Sequence, residues 1–158
     1  MRLDEASLVR WGERIGMTLA VPAFIGLKGP LGVGKSVLAR AIGQGMGVRR
    51  PMPSPSFNLL FRYPAAMGTQ LSHLDLYRLA SSDELQELGW DELGQPHEVV
   101  LVEWPERAEG FLPPDHWIIE ISPVPGKPLL RDVGVIRVGA PPDLAGFPLD
   151  VTGSGKGW

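Results

Sequence analysis

The stretch "GPLGVGKS" (29–36) limits this chain more than any other part of it. Gly29, four intervening residues, then Gly34, Lys35 and Ser36 is the spacing of a phosphate-binding loop. Just before it, "AFIGLK" (23–28) is a short apolar run that reads as a buried strand. Just after it, "KSVLARAIGQGMG" (35–47) places Val37, Leu38, Ala41 and Ile42 at helical spacing and stops at Gly47. Gly29 and Gly34 let the backbone turn close to a polyphosphate without a Cβ in the way. The backbone of Leu31, Gly32 and Val33, with Val37 in the first helical turn, is then expected to line an anion pocket at the positive end of the helix. Lys35 should reach the β- and γ-phosphates, and the Ser36 hydroxyl should ligate Mg²⁺. The competing reading is a tight turn with a surface lysine, and the flanking strand and helix speak against it.

Residues 4–16 predict a helix with Leu8, Trp11 and Ile15 on one face and Gly16 as its stop. The proline-broken "RRPMPSPSFN" (49–58) should be an exposed loop. "FNLLFRY" (57–63) alternates Phe57, Leu59, Phe61 and Tyr63 on one side, and "QLSHLDLY" (70–77) repeats the pattern, so the two read as a hairpin joined by "PAAMGT". Ser81 followed by Glu84 is a capping box for a helix over 81–88 that ends at Gly89, where Leu85 and Leu88, with Trp90 beyond, are most simply core. "EVVLVE" (98–103) is a continuous apolar run of the kind buried on both faces of a sheet. "HWIIEIS" (116–122) and "RDVGVIRVG" (131–139) predict two late strands around a proline-rich connection. The expected fold is therefore α/β, a three-layer phosphate-loop domain over 1–139 with a mixed, partly antiparallel sheet. Residues 140–158, rich in Gly and Pro and without periodicity, are expected to form a flexible tail.

Bulk composition narrows the function classes. The 158 residues include no cysteine, which excludes disulfides, thiolate zinc sites and cysteine nucleophiles. A formal charge of −3 offers no global basic field for nucleic acid. The N-terminus is charged throughout, and no apolar run approaches a membrane span, so a cytoplasmic protein with no membrane contact is expected.

Hydrolysis needs acids near the metal. Glu103 ends a buried apolar strand, which is where phosphate-loop folds place a metal-facing acid; a strand-end pairing with Arg107 is the plainer alternative. Asp75 shares a strand face with His73 and Tyr77, so it could face the same site or simply end a turn. Ser54 and Ser56 put hydroxyls on a proline-limited loop of a kind that can order around a γ-phosphate. His73 reads as a polar residue supporting a loop, and the single histidines His97 and His116 have no second ligand at metal spacing, so no structural metal is expected. Arg78 could contact phosphate, a partner or a nearby carboxylate.

Taken together, "GPLGVGKS", "SPSF", "HLDLYRL" and "VLVEWPERAEGFLP" resemble, in order and spacing, the bacterial ATPases of tRNA threonylcarbamoyladenosine biosynthesis, the TsaE (YjeE) family. The resemblance covers roughly residues 5–138. It implies that Lys35 and Ser36 are phosphate and magnesium contacts, and that Ser56 stands where the family usually has Thr in a switch-like loop. It further implies that Asp75 and Glu103 are the metal and hydrolysis acids, and that Trp104 is an aromatic near the nucleotide. ATP and Mg²⁺ are the implied cofactors. TsaB and TsaD are the implied partners in N6-threonylcarbamoyladenosine formation at adenosine 37 of tRNA, with tRNA met indirectly or transiently.

Rival classes remain. A small-molecule kinase carries the same loop but should also show an arginine-rich lid, whereas here Arg49–Arg50 merely precede the serine loop. A GTP switch is disfavoured because "DELG" (91–94) follows a helix and no Asn-Lys-x-Asp reads guanine. A nucleotide-binding regulatory module without turnover is opposed by the two acids.

Overall fold

The apolar runs before and after the glycine loop become the centre of a sheet. In the computed structural model, which describes residues 1–53 and 59–148, "AFIGLK" is β2 (Ala23–Lys28) and "EVVLVE" is β5 (Glu98–Glu103). They are flanked by β4 (Gln70–Asp75) and β6 (His116–Val124), and these four strands run parallel. Antiparallel strands close both sides: β3 (Leu60–Pro64) on β4, β7 (Lys127–Val138) on β6, and β1 (Arg2–Asp4) on β7. The order is β1-β7-β6-β2-β5-β4-β3, a mixed sheet of seven strands.

Two layers cover it. On one face α1 (Glu5–Thr18) and α2 (Lys35–Gly45) pack Leu8, Trp11, Ile15, Leu38 and Ile42 against Ile25, Leu27, Leu101 and Ile119. On the other, α3 (Asp83–Glu87) and the single turns Trp90–Glu92 and Pro105–Ala108 cover Phe24, Val100 and Val102. Cover on both faces explains why β2 and β5 are apolar without alternation. Each fully buried Leu or Ile contributes roughly 1.5–3 kcal/mol to this arrangement.

Several boundaries differ from the sequence expectation, each for a local reason. Asp4 caps α1 by accepting the Ser7 N–H at 2.7 Å, and that hydrogen bond holds its carboxyl below the usual range. The helix then runs through Gly16 to Thr18. Gly16 is a packing residue rather than a stop: a Cβ there would strike the Ile42 carbonyl of α2, and one on Gly45 would strike the Glu13 carbonyl of α1. Gly16→Ala is accordingly expected to destabilise the fold by about 2 kcal/mol, because overpacking against backbone outweighs alanine's better helix propensity. Urea unfolding checks it, and an unchanged midpoint would show that the helices can separate freely.

The second run of the hairpin stops at Asp75 instead of Tyr77, since the Asp75 carboxylate accepts the Tyr77 N–H at 3.0 Å and turns the chain. The helix expected over 81–88 is α3 at Asp83–Glu87, with Ser82 as an N-cap whose side chain makes no cap hydrogen bond, while Glu84 accepts from the Ala80 N–H. The proline-rich connection between the late strands shrinks to a turn at Pro125–Gly126, with Pro123 and Pro128 inside β6 and β7. Pro123 is tolerated because β2 pairs with β6 only as far as Glu120. The three residues of β1 carry no strand signal of their own, and register with β7 places them.

The tail departs most. Leu144 is buried, the Trp11 and Trp117 indoles donate to the carbonyls of Ala145 and Pro142 at 2.9 and 2.7 Å, and Phe147 lies 4.8 Å from the Trp11 ring. Two buried indole N–H groups need acceptors, and an aperiodic segment supplies them as well as a regular one. Residues 141–148 are therefore seated on the core, not loose as expected; 149–158 lie outside the described residues.

Candidate functional site

The loop 29–34 joins β2 to α2 at the C-terminal edge of the parallel strands, where open α/β sheets bind ligands. Its shape depends on glycine at two points. A Cβ on Gly29 would strike the Ile121 carbonyl of β6, and Gly34 has φ of 124°, strained for any residue with a side chain. From β7, the Arg131 guanidinium reaches across and donates to the Val33 carbonyl at 2.8 Å, bracing the loop from behind. No local sequence signal marks Arg131, because its partner is a backbone carbonyl far away in sequence.

Lys35 is only 4% exposed. Its Nζ donates to the Gly29 and Pro30 carbonyls at 2.6 and 2.7 Å and lies 4.4 Å from the centre of the Trp104 ring. Burial pushes its pKa down, opposed by the charges of Glu103, Asp75 and Glu106. Trp104 itself sits in the left-handed region (φ 60°, ψ 53°), which costs a bulky residue roughly 1–3 kcal/mol. That strain, directly after β5, holds the indole over the lysine and 5.0 Å from the Tyr77 ring.

Ser36, in the first turn of α2, donates its hydroxyl to Glu103 at 3.0 and 3.1 Å to the two carboxylate oxygens. Glu103 is buried and also receives His73 Nε2 at 2.6 Å. The register pairs Asp75 with Glu103 across β4 and β5, so both acids end neighbouring strands on the loop side. Asp75 is half-buried, and its pKa is raised chiefly by desolvation and further by Glu103, against the lowering effects of the Tyr77 N–H, His73 and Lys35. A raised acid binds its proton more readily folded than unfolded, so its stabilising effect is present at low pH and lost as pH rises through the folded value. Asp75→Asn is thus expected to raise the melting temperature of the ligand-free chain at about pH 7 and to leave it unchanged at about pH 3. Calorimetry at both pH values checks this, and equal shifts would remove the electrostatic cause.

These groups enclose a cavity of about 370 Å³ lined by Leu31, Gly32, Gly34, Lys35, Ser36, Val37, Asp75, Glu103 and Trp104. Gly29 and Val33 shape the loop behind it, whereas Ser54 and Ser56 lie outside the described residues. A second cavity of about 400 Å³ adjoins it across Gly32, Gly34 and Val37, bounded by the start of α1 and by Pro128, Leu129 and Arg131. A buried lysine ammonium and hard oxygen donors from Ser36, Asp75 and Glu103 around one cavity are the chemistry that a phosphate chain and Mg²⁺ require. Among the described residues no helix is long and apolar enough to cross a membrane.

Comparison with known proteins agrees. The model of the threonylcarbamoyl adenosine biosynthesis protein TsaE matches residues 3–127. The proteins named tRNA threonylcarbamoyladenosine biosynthesis protein TsaE include one from Haemophilus influenzae, 33% identical over 75% of this chain and 78% of that one. Another, from Mycobacterium bovis, is 38% identical over 72% of this chain and 71% of that one. The crystal structure of Bacillus subtilis YdiB shares the fold, with a TM-score of 0.71 at 22% identity over 89% of this chain and 84% of that chain. With the phosphate loop, its paired strand-end acids and this match over most of its length, the chain belongs to the TsaE family of tRNA threonylcarbamoyladenosine biosynthesis proteins.

Proposed function

We propose that this chain binds Mg²⁺–ATP and hydrolyses it in support of tRNA N6-threonylcarbamoyladenosine formation, acting in the cytoplasm with TsaB and TsaD. The observation that carries the reading is the link from Ser36 through Glu103, a hydroxyl on the loop helix bonded to a buried carboxylate on the adjacent strand. That pair can hold a divalent cation against the phosphates. In this reading Lys35 exchanges the Gly29 and Pro30 carbonyls for phosphate oxygens, and the N–H groups of the loop and of the first turn of α2 hold the rest of the phosphate chain. The nucleoside occupies the adjoining cavity beside Val37 and Arg131. Bound Mg²⁺ supplies charge neutralisation at the phosphates. Asp75 and Glu103 orient the attacking water and accept its proton, for which the raised pKa of Asp75 suits it. Trp104 covers the lysine and excludes solvent, and Ser56 senses the γ-phosphate.

Phosphate release from Mg²⁺–ATP, measured with the chain alone and then with TsaB and TsaD, tests the proposal. Slow release that rises on adding the partners is expected. Release indifferent to them, with phosphate passed to a small-molecule acceptor instead, would replace it with a kinase.

A further inference from the structure

One buried polar side chain near the site makes no contact with the cavity. His73 is 1% exposed; its Nε2 lies 2.6 Å from Glu103 Oε2, while its Nδ1 has no hydrogen-bond partner among the described residues. A carboxylate oxygen that takes this short contact as an acceptor requires a proton on Nε2, and Nδ1 is the nitrogen left without a partner. In the sheet His73 stands opposite Leu101 and Phe61, among apolar neighbours. A leucine would fill that position with no orphaned atom. The imidazole therefore keeps one hydrogen bond unmade in the core for the sake of the one it makes to Glu103.

The register explains the direction of approach. Asp75 is level with Glu103, and His73 is two residues earlier on the same face of β4. His73 thus meets the carboxylate from the interior of the sheet, while Ser36 meets it from the loop helix. We infer that His73 is a positioning residue for Glu103. Its Nε2–H pins Oε2 and so turns the carboxylate toward Ser36 and the cavity. The consequence for metal binding rests on the Mg²⁺–ATP reading; the tautomer does not.

Two measurements test it. In the ¹⁵N-labelled chain without nucleotide or metal, the His73 ring is expected to carry its proton on Nε2; protonation at Nδ1 alone would overturn the inference. Next, Mg²⁺ is titrated at fixed ATP by calorimetry and by phosphate release, in the unmodified chain, in His73→Leu and in His73→Gln, whose amide N–H can replace Nε2–H. The leucine variant is expected to need about 10–100-fold more Mg²⁺ with its Mg²⁺-free ATP affinity unchanged, and the glutamine variant to recover most of the loss. An unchanged Mg²⁺ dependence in His73→Leu would sink the inference. Should that variant not fold, the ring spectrum decides alone. A chain that binds no Mg²⁺–ATP at all would remove the hydrolase reading, and the tautomer would still decide the role of His73.

Discussion

ATP affinity is expected to fall about a thousandfold in Lys35→Ala. The ammonium makes two short hydrogen bonds to the loop's own carbonyls, at 2.6 and 2.7 Å, on a lysine that is only 4% exposed. Phosphate oxygens taking those places would form charge-assisted bonds, each contributing roughly 1.5–3 kcal/mol. Losing two costs about 4 kcal/mol, or about three orders of magnitude in dissociation constant. Burial favours the neutral lysine, so the ligand-free site holds its cation at a disadvantage that an anion would relieve. Calorimetric titration with ATP, with and without Mg²⁺, reads the effect. Binding within tenfold of the unmodified chain would mean that the loop does not hold the phosphates.

Glu103→Gln is expected to act on turnover instead, lowering ATP hydrolysis about 10²–10³-fold while ATP affinity changes less than tenfold. Glutamine keeps the volume and an acceptor for Ser36, so the geometry at 3.0–3.1 Å can survive, but the negative charge is gone. It also brings an N–H toward His73 Nε2, where the carboxylate received one. Single-turnover phosphate release beside equilibrium binding separates the two quantities. Equal losses in both would make Glu103 an architectural residue that shapes the loop and takes no part in the chemistry.

Much of the fold was legible because its signals are local. The glycine loop, the apolar run of β2 and the helical spacing of Val37, Leu38, Ala41 and Ile42 lie within one stretch, and each constrains the same backbone. β5 was legible for the same reason, since a strand covered on both faces must be apolar throughout. Strand ends were less so. Whether β4 continued past Asp75 depended on one side chain bonding to one N–H, and β1 exists because β7 offers it a register. Gly16 looked like a helix stop, since a glycine that ends a helix and one that admits a neighbouring helix are identical letters; only the carbonyl of Ile42 distinguishes them.

The candidate site divides in the same way. From its letters alone the chain determined a phosphate loop between strand and helix and one acid, Glu103, closing an apolar strand, because residue type and spacing set what a backbone can do within a few residues. Tertiary structure decided which groups meet. It brought Ser36 to Glu103 across 67 positions of sequence, Arg131 to the Val33 carbonyl across 98, and Ala145 to the Trp11 indole across 134. It also set His73 behind Glu103 with one nitrogen engaged and the other without a partner among the described residues. Hydrogen bonds of that reach depend on how the layers stack and on the register of the sheet, and those come from the sum of the packing, not from any short stretch of the chain.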